Sequence, residues 1–282
     1  MALLWQGPAD PTMHVSASAI ERAFRLPTGT ASLRLTFDHR NAVRAQAWGA
    51  GAAEALELVP ALTGELDDPE PLVPRHSIVR ELQRRMPGLR LTSGAPIIDT
   101  LLFSILAQKI TSLEARRSFA ALIRRHGEPA PGPLGLRLAL PAEKLALMPY
   151  WAFHPFNIER RRAETIRTAA AAASRLSTLG SLPAAGRLTR LQALPGIGPW
   201  TAAEAARLAY GDPDAVSVGD FHIPRLVCHA LAGESDGDDA RMLELLEPYR
   251  GQRARVVLLL ERAGLYPQRR APRMPPRSIA AI

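Results

Sequence analysis

The stretch from Leu191 to Ile223, LQALPGIGPWTAAEAARLAYGDPDAVSVGDFHI, constrains the fold more than any other part of the chain. Leu194-Pro195-Gly196-Ile197-Gly198 sets two glycines around one apolar residue after a proline, so the backbone can turn tightly and take φ > 0 at little steric cost. Leu188, Leu191 and Leu194 precede the turn at helical spacing. The alanine-rich WTAAEAARLA follows it, and Pro199 suits a first helical position. The pattern predicts helix, glycine hairpin and helix, over about 184–209. Such a hairpin aims backbone N–H groups and a helix N-terminus outward, an arrangement that receives a phosphate without any basic side chain.

Composition bounds the rest. A chain of 282 residues with 47% hydrophobic content can bury a real core, in one large domain or two modest ones. No apolar run approaches the roughly 20 residues that span a bilayer, and Met1 to Asp10 lacks the features of a secretory signal, so a cytoplasmic monomer with no membrane partner is expected. Cys228 is the only cysteine, which excludes an internal disulfide, and the seven histidines show no metal-ligand spacing. Of the formal +8 charge, eight arginines from Arg250 onward against Glu261 alone contribute +7. That basic end is a candidate phosphate-contacting surface. The 33 arginines against Lys109 and Lys144, with abundant alanine, also fit a GC-rich genome, so charge alone does not decide the partner.

In chain order, residues 1–28, with Pro8, Pro11 and Pro27, read as irregular edge structure. Ala31 to Phe37 and Ala42 to Trp48 alternate polar and apolar residues around the turn Asp38-His39-Arg40-Asn41, which predicts a β-hairpin. Ala52 to Leu62 reads as a helix closed by Gly64. A small N-terminal α+β domain over 1–75 follows, joined through the proline-rich Asp68 to Pro74 to a helical region over 76–282. There, Ile97 to Leu106 is apolar nearly all round and belongs in the core. Thr111-Ser112-Leu113-Glu114 is a capping box that starts the next helix, which leaves Ala107-Gln108-Lys109-Ile110 as a polar loop between two core helices. Tyr150-Trp151-Ala152-Phe153-His154 concentrates aromatics in a loop and either lines a pocket or packs between helices. Arg160 to Leu179 reads as one long helix with a solvated arginine face, and about nine helices in two groups are expected overall.

Asp220 stands 22 residues beyond Gly198 in SVGDFHIPRLV, at the start of another helix, within a loop over about 212–223. The hairpin, the spacing and the D-x-H-I-x-R pattern at Asp220 to Arg225 together resemble the helix-hairpin-helix DNA glycosylases, in particular those of the 3-methyladenine II type. The resemblance extends over about 96–262 and implies a mostly helical α+β fold, a two-part helical core with a small N-terminal α+β domain, and a cleft between the parts with the hairpin on its rim. It implies Asp220 as the catalytic carboxylate, where the plain alternative is a helix N-cap. It also implies a base pocket that includes Trp200 and Glu204, to which Trp151 and Phe153 are candidates, and DNA contacts at Leu194, Gly196, Ile197 and Gly198. Gln108 or Lys109 would fill the gap left by an extruded base, or else form an ordinary polar connection. A monovalent cation, sodium or potassium, on the carbonyls of Gln192, Leu194 and Ile197 is implied as well; no other cofactor is, and one cysteine cannot hold the four-cysteine iron–sulfur cluster of the endonuclease III branch.

The implied chemistry is physically coherent. Breaking an N-glycosidic bond develops oxocarbenium character at the sugar, and a nearby carboxylate stabilises it and can orient or deprotonate the attacking water. Alkylated purines such as 3-methyladenine and 7-methylguanine carry positive charge, leave readily and are attracted to aromatic faces. Lyase-type members carry a lysine where this chain has Trp200, so the expectation is a monofunctional hydrolase that acts on damaged double-stranded DNA and leaves an abasic site. Glu204 departs from the aromatic residue of a close family member, and either favours cationic bases or restricts the lesions accepted. Two alternatives stay open: a non-catalytic protein that keeps the hairpin for phosphate docking, and a glycosylase for other damaged bases.

Overall fold

The computed structural model describes residues 4–38 and 42–268. Its N-terminal part is an antiparallel four-stranded meander in the order β1 (Met13–Val15), β2 (Ala19–Leu26), β3 (Gly29–Phe37) and β4 (Val43–Trp48). The hairpin expected around residues 31–48 is β3 and β4, with Leu33 opposite Ala47 and Leu35 opposite Ala45; three residues of its turn, 39–41, lie outside the described residues. Residues 13–26, expected to be irregular, instead form β1 and β2. Pro8, Pro11 and Pro27 all fall outside the strands, so they bound the pairing rather than break it. One face of the sheet buries Met13, Phe24, Leu33 and Leu35 with Leu62, Ala95 and Leu208, and Ala23 on the other packs with Leu134, Leu136 and Leu138.

Thirteen α-helices follow among the described residues: α1 (Ala52–Glu57), α2 (Val59–Thr63), α3 (Ser77–Arg85), α4 (Ile97–Leu106), α5 (Ser112–His126), α6 (Ala142–Leu147), α7 (Arg160–Ala171), α8 (Ala173–Leu176), α9 (Ala184–Gln192), α10 (Pro199–Tyr210), α11 (Ile223–Ala232), α12 (Asp239–Leu246) and α13 (Arg253–Ala263). This exceeds the expected nine or so, and two of the predicted helices break. Pro60 supplies no N–H, so Ala52–Thr63 divides at Leu58, and Gly64 closes the second piece at φ +85° as expected. The alanine-rich run breaks at Ala172, whose N–H is shared between the Thr168 and Ala169 carbonyls. Its arginines are not all solvated either. Arg162 is 4% exposed and donates from Nη1 to the Leu106 carbonyl at 3.0 Å, a cation at the carbonyl end of α4.

Two clusters divide the helical core. The first gathers α4, α5, α7, α9 and α10 around Leu101, Ile105, Phe153, Ile166, Leu191 and Ala206; α4 is buried nearly all round, as its composition requires. The second packs Val79 and Leu82 of α3 with Leu226, Met242, Val256 and Leu260 from α11, α12 and α13, and takes in Leu72 from the proline-rich segment. That segment is therefore anchored. Arg255, 2% exposed, donates to Asp67 in a bidentate pair at 2.7 and 2.6 Å and to the Asp68 carbonyl at 3.2 Å, while Asp67 also accepts the Leu91 N–H at 2.9 Å. Arg250 and Arg253 are likewise held by Glu247 and Asp214. Of the basic end expected to face phosphate, Arg253 and Arg255 are structural, Arg250 is exposed in a surface pair, and Arg269, Arg270, Arg273 and Arg277 lie outside the described residues.

The hairpin between α9 and α10 forms as the glycines require. Gly196 takes φ +85°, and a Cβ there would collide with the Thr165 side chain of α7. Gly198 does not share this demand. It begins α10 from an extended backbone at φ −88°, with open space where a Cβ would go. The expectation that both glycines serve the left-handed turn is thus corrected: Gly196 shapes the hairpin and Gly198 leaves its outer surface bare.

Two stability tests follow from this packing. Asp67→Ala leaves the Arg255 guanidinium buried without its counter-charge and is expected to cost about 3 to 5 kcal/mol in urea denaturation. Gly196→Ala combines a left-handed penalty with the Thr165 collision and is expected to cost about 2 kcal/mol or more, whereas Gly198→Ala changes stability by less than about 1 kcal/mol. Equal effects of the two glycine substitutions would contradict the division of labour.

Candidate active site between two helical lobes

Asp220 sits on the connection from α10, in the first cluster, to α11, in the second. Gly211 ends α10 at φ +63°, and the chain then runs without regular structure to Ile223. Asp220 Oδ1 accepts the backbone N–H groups of His222 at 2.7 Å and Ile223 at 2.9 Å, so its carboxylate fixes the turn that leads into α11, whose N-cap position is His222 and carries no side-chain cap. Its other oxygen, Oδ2, accepts the indole N–H of Trp200 at 2.9 Å. Holding the turn before α11 and presenting a carboxylate beside an aromatic ring are thus two functions of one half-buried side chain. The Trp200 bond joins the rim of the hairpin to the Asp220 loop.

The α10 face below Trp200 carries Glu204 and Arg207. The Glu204 carboxylate is engaged twice, by the Ser217 hydroxyl and by Arg207 Nη2 at 2.9 Å. It braces the Asp220 loop against α10. Burial alone would lower the pKa of Arg207, but Glu204, Glu261 and Asp220 together outweigh it and raise it. Glu261, projecting from α13, has its carboxyl pKa pushed up, first by burial and then by Glu204 and Asp220, with Arg207 opposing. Tyr266 is raised by partial burial and by the same two carboxylates, Glu261 and Asp220. A small cavity between α10 and α13 is lined by Glu204, Arg207, Ser217, Ile223, Val257 and Glu261.

Sequence reasoning missed Arg207, Ser217, Glu261 and Tyr266. Arg207 was legible as the residue two helical turns beyond Trp200 on one face. Glu261, the one acid of a basic end, gave no local signal that it would meet α10. Beside Asp220, Phe221 is 70% exposed, with the Arg225 guanidinium 5.0 Å over its ring, and His222 makes edge contacts with Phe221 and Tyr266.

Other expected residues divide. Phe153 is 0% exposed in the first core cluster and cannot line an open pocket; the aromatic run is a 3-10 turn whose amphipathic spacing sends Phe153 inward and leaves Trp151 65% exposed. Neither lines the cavity beside Glu204. The capping box forms as expected, with Glu114 N–H on Thr111 Oγ1 at 3.2 Å and Thr111 N–H on the Glu114 carboxylate at 2.8 Å. In the loop before it, Gln108 Nε2 donates to the Gly196 carbonyl at 3.0 Å and to Thr201 Oγ1 at 2.8 Å, which ties that loop to the hairpin. Lys109 is exposed at φ +55°. Ile197 is buried, so only its backbone faces the hairpin turn, and its N–H donates to the Leu194 carbonyl at 3.0 Å. The first-turn N–H groups of an α-helix lack intrahelical partners, and in α10 they follow directly on the hairpin.

No protein-family model matches the chain, and no curated protein matches it either. Solved structures do. A 3-methyladenine DNA-glycosylase from Archaeoglobus fulgidus is similar with a TM-score of 0.73 and 21% identity, over 91% of each chain. An 8-oxoguanine glycosylase/lyase from Clostridium acetobutylicum, bound to double-stranded DNA with cytosine opposite 8-oxoguanine, gives a TM-score of 0.70 and 14% identity over 93% of this chain and 91% of that one. A 3-methyladenine DNA glycosylase from Schizosaccharomyces pombe, in complex with abasic DNA, gives 0.55 and 15% over 74% of this chain and 98% of that one. At these identities the likeness is one of architecture: the chain has the fold of the helix-hairpin-helix DNA glycosylases.

Proposed function

We propose that the chain is a DNA glycosylase that extrudes alkylated purines, such as 3-methyladenine and 7-methylguanine, from duplex DNA and hydrolyses their glycosidic bonds, leaving an abasic site. The observation that carries this is the Trp200–Asp220 hydrogen bond, 2.9 Å long, on a loop between two helical lobes beside an outward-facing hairpin. Each part has a task. The bare surface at Gly198 and the first N–H groups of α10 receive a backbone phosphate without selecting sequence. Lys109, or Gln108 through its tie to the hairpin, occupies the space left in the duplex. The Trp200 ring offers a π face to a cationic base, an attraction of about 0.5 to 2 kcal/mol.

Asp220 then acts on the sugar. As the bond from C1′ to the purine nitrogen breaks, its electron pair leaves with the base, which neutralises the base's positive charge. The Asp220 carboxylate stabilises the oxocarbenium-like centre and orients a water whose oxygen bonds C1′ and whose proton passes to the carboxylate. The indole and backbone donors fix its orientation beforehand, so little reorganisation is needed during reaction. Hydrolysis without lyase chemistry is supported by the only two lysines: Lys144 donates to the His126 carbonyl at 2.9 Å, Lys109 lies on the loop before α5, and position 200 holds an indole already spent on Asp220. The carbonyl oxygens of Gln192, Leu194 and Ile197, at the end of α9 and in the turn, are hard donors that would hold a monovalent cation, which would supply positive charge beside the hairpin.

Asp220→Asn keeps an oxygen that can accept the His222 and Ile223 N–H groups and removes the charge, so the variant is expected to fold while base release from methylated duplex DNA slows by about 100-fold or more in single turnover. Wild-type rates in a folded variant would remove the catalytic assignment, and a wild type that binds DNA yet releases no base would favour a docking protein. In the same reactions the abasic product stays unbroken until heated in alkali, and borohydride traps no enzyme–DNA adduct; a trapped adduct would contradict the hydrolytic route.

A further inference from the structure

The aromatic run takes no part in the site around Asp220, yet it leaves the ring of Trp151 65% exposed. A lone apolar side chain in water needs no explanation, but this one is displayed from a fixed mount. The 3-10 turn that carries it, Tyr150–Phe156, is pinned by Phe153 in the first core cluster and closed by Asn157 at φ +61°. The Arg160 guanidinium lies 4.7 Å over the Tyr150 ring and ties the turn to α7. A ring held this way costs little ordering entropy when a ligand covers it.

α7 sets that turn beside the two elements assigned to DNA. Thr165 meets the hairpin at Gly196. Nearly one turn earlier, Arg162 donates to the Leu106 carbonyl at 3.0 Å, at the entry to the Gln108–Lys109 loop, and to the Asn157 carbonyl at 3.4 Å, at the end of the aromatic turn. Arg160 then stacks on Tyr150. Thr165 and Arg160 stand about 7.5 Å apart along the helix axis, comparable with the minor-groove width of about 6 Å that separates two strands. Charge favours the same ligand. Glu159 and Glu164 are paired with Arg162 and Arg160, whereas the exposed Arg161 and Lys109 make no ion pair among the described residues. Two uncommitted cations and an indole around one loop match a ligand that carries both phosphates and flat bases.

Extruding a base from one strand leaves its former partner on the other without hydrogen bonds, and such a base is the cheapest in the duplex to unstack. Resting on the glycosylase reading and deepening it, we propose that this surface holds the strand opposite the lesion: Trp151 stacks on the base left without a partner, and Arg161 contacts a phosphate of that strand. An indole face accepts any base, so the contact favours the extruded state without selecting the identity of the opposite base.

Duplexes with a tetrahydrofuran abasic analogue at the lesion position report this contact without catalysis, when the analogue faces each of the four bases or a second tetrahydrofuran. With any base opposite, Trp151→Ala is expected to weaken binding about 10-fold in anisotropy titrations, and Trp151→Phe far less. With no base opposite, the Trp151→Ala loss is expected to shrink to less than about 2-fold. Arg161→Ala is expected to weaken binding to all these duplexes alike and to lower the salt slope by about one; an unchanged slope would remove the phosphate contact. Unchanged affinity of Trp151→Ala would assign the surface to another partner and overturn the proposal, and an equal loss with and without the opposite base would overturn the stacking. Base release from methylated DNA separates this from the glycosylase reading. A wild type that releases no base but shows the Trp151 pattern keeps this surface and loses that reading, whereas one that releases base without the pattern keeps that reading and loses this surface.

Discussion

Three polar side chains of the segment between α10 and α11, those of Asp214, Ser217 and Asp220, are held by other elements. Asp214 accepts the N–H groups of Gly251 and Arg253, at 2.8 and 3.1 Å, and pairs with the Arg253 guanidinium at the start of α13. Ser217 is bonded to Glu204 on α10, the Gly219 N–H donates to Asp239 on α12 at 3.0 Å, and Asp220 receives Trp200. Anchors on α10, α12 and α13 thus hold a segment with no regular structure of its own. Burial raises the pKa of Asp214 by itself, but its bonds from Arg253 and Gly251 bring it below the ordinary value, so this clamp persists at neutral pH and weakens as pH falls through the carboxylate range.

The same logic explains how the hairpin is joined to the remainder of the cleft. Gly196 packs on Thr165 of α7, Ile197 is buried in the first cluster, and Gln108 bonds both the hairpin and Thr201. A small displacement of α10 would move the hairpin, Trp200, Glu204 and Arg207 together, because one helix carries all of them. Preorganisation here comes from sharing a rigid element rather than from many independent contacts.

Glu204 illustrates how position and function separate. On sequence it was a pocket residue of uncertain effect; in the structure its carboxylate is spent on Ser217 and Arg207, so it orders the Asp220 loop and the guanidinium. Arg207 Nη1, a buried donor without a hydrogen bond among the described residues, lies one turn deeper on α10.

What the sequence determined by itself was local. The LPGIG turn, the buried α4, the Thr111–Glu114 box and the β3–β4 hairpin were legible because each depends on residues near one another: a glycine that must take φ > 0, an apolar period, a cap within one turn, a strand alternation. What only tertiary structure decided involved partners far apart in the chain. Arg255 meeting Asp67, Glu261 facing Arg207, Phe153 turned into the core and β2 drawn into a sheet despite weak alternation are set by packing. Local propensity carries no information about which distant group will satisfy a buried charge, and Asp220 shows the boundary: its place just before α11 is readable from sequence, whereas its bond to Trp200 is set by tertiary packing.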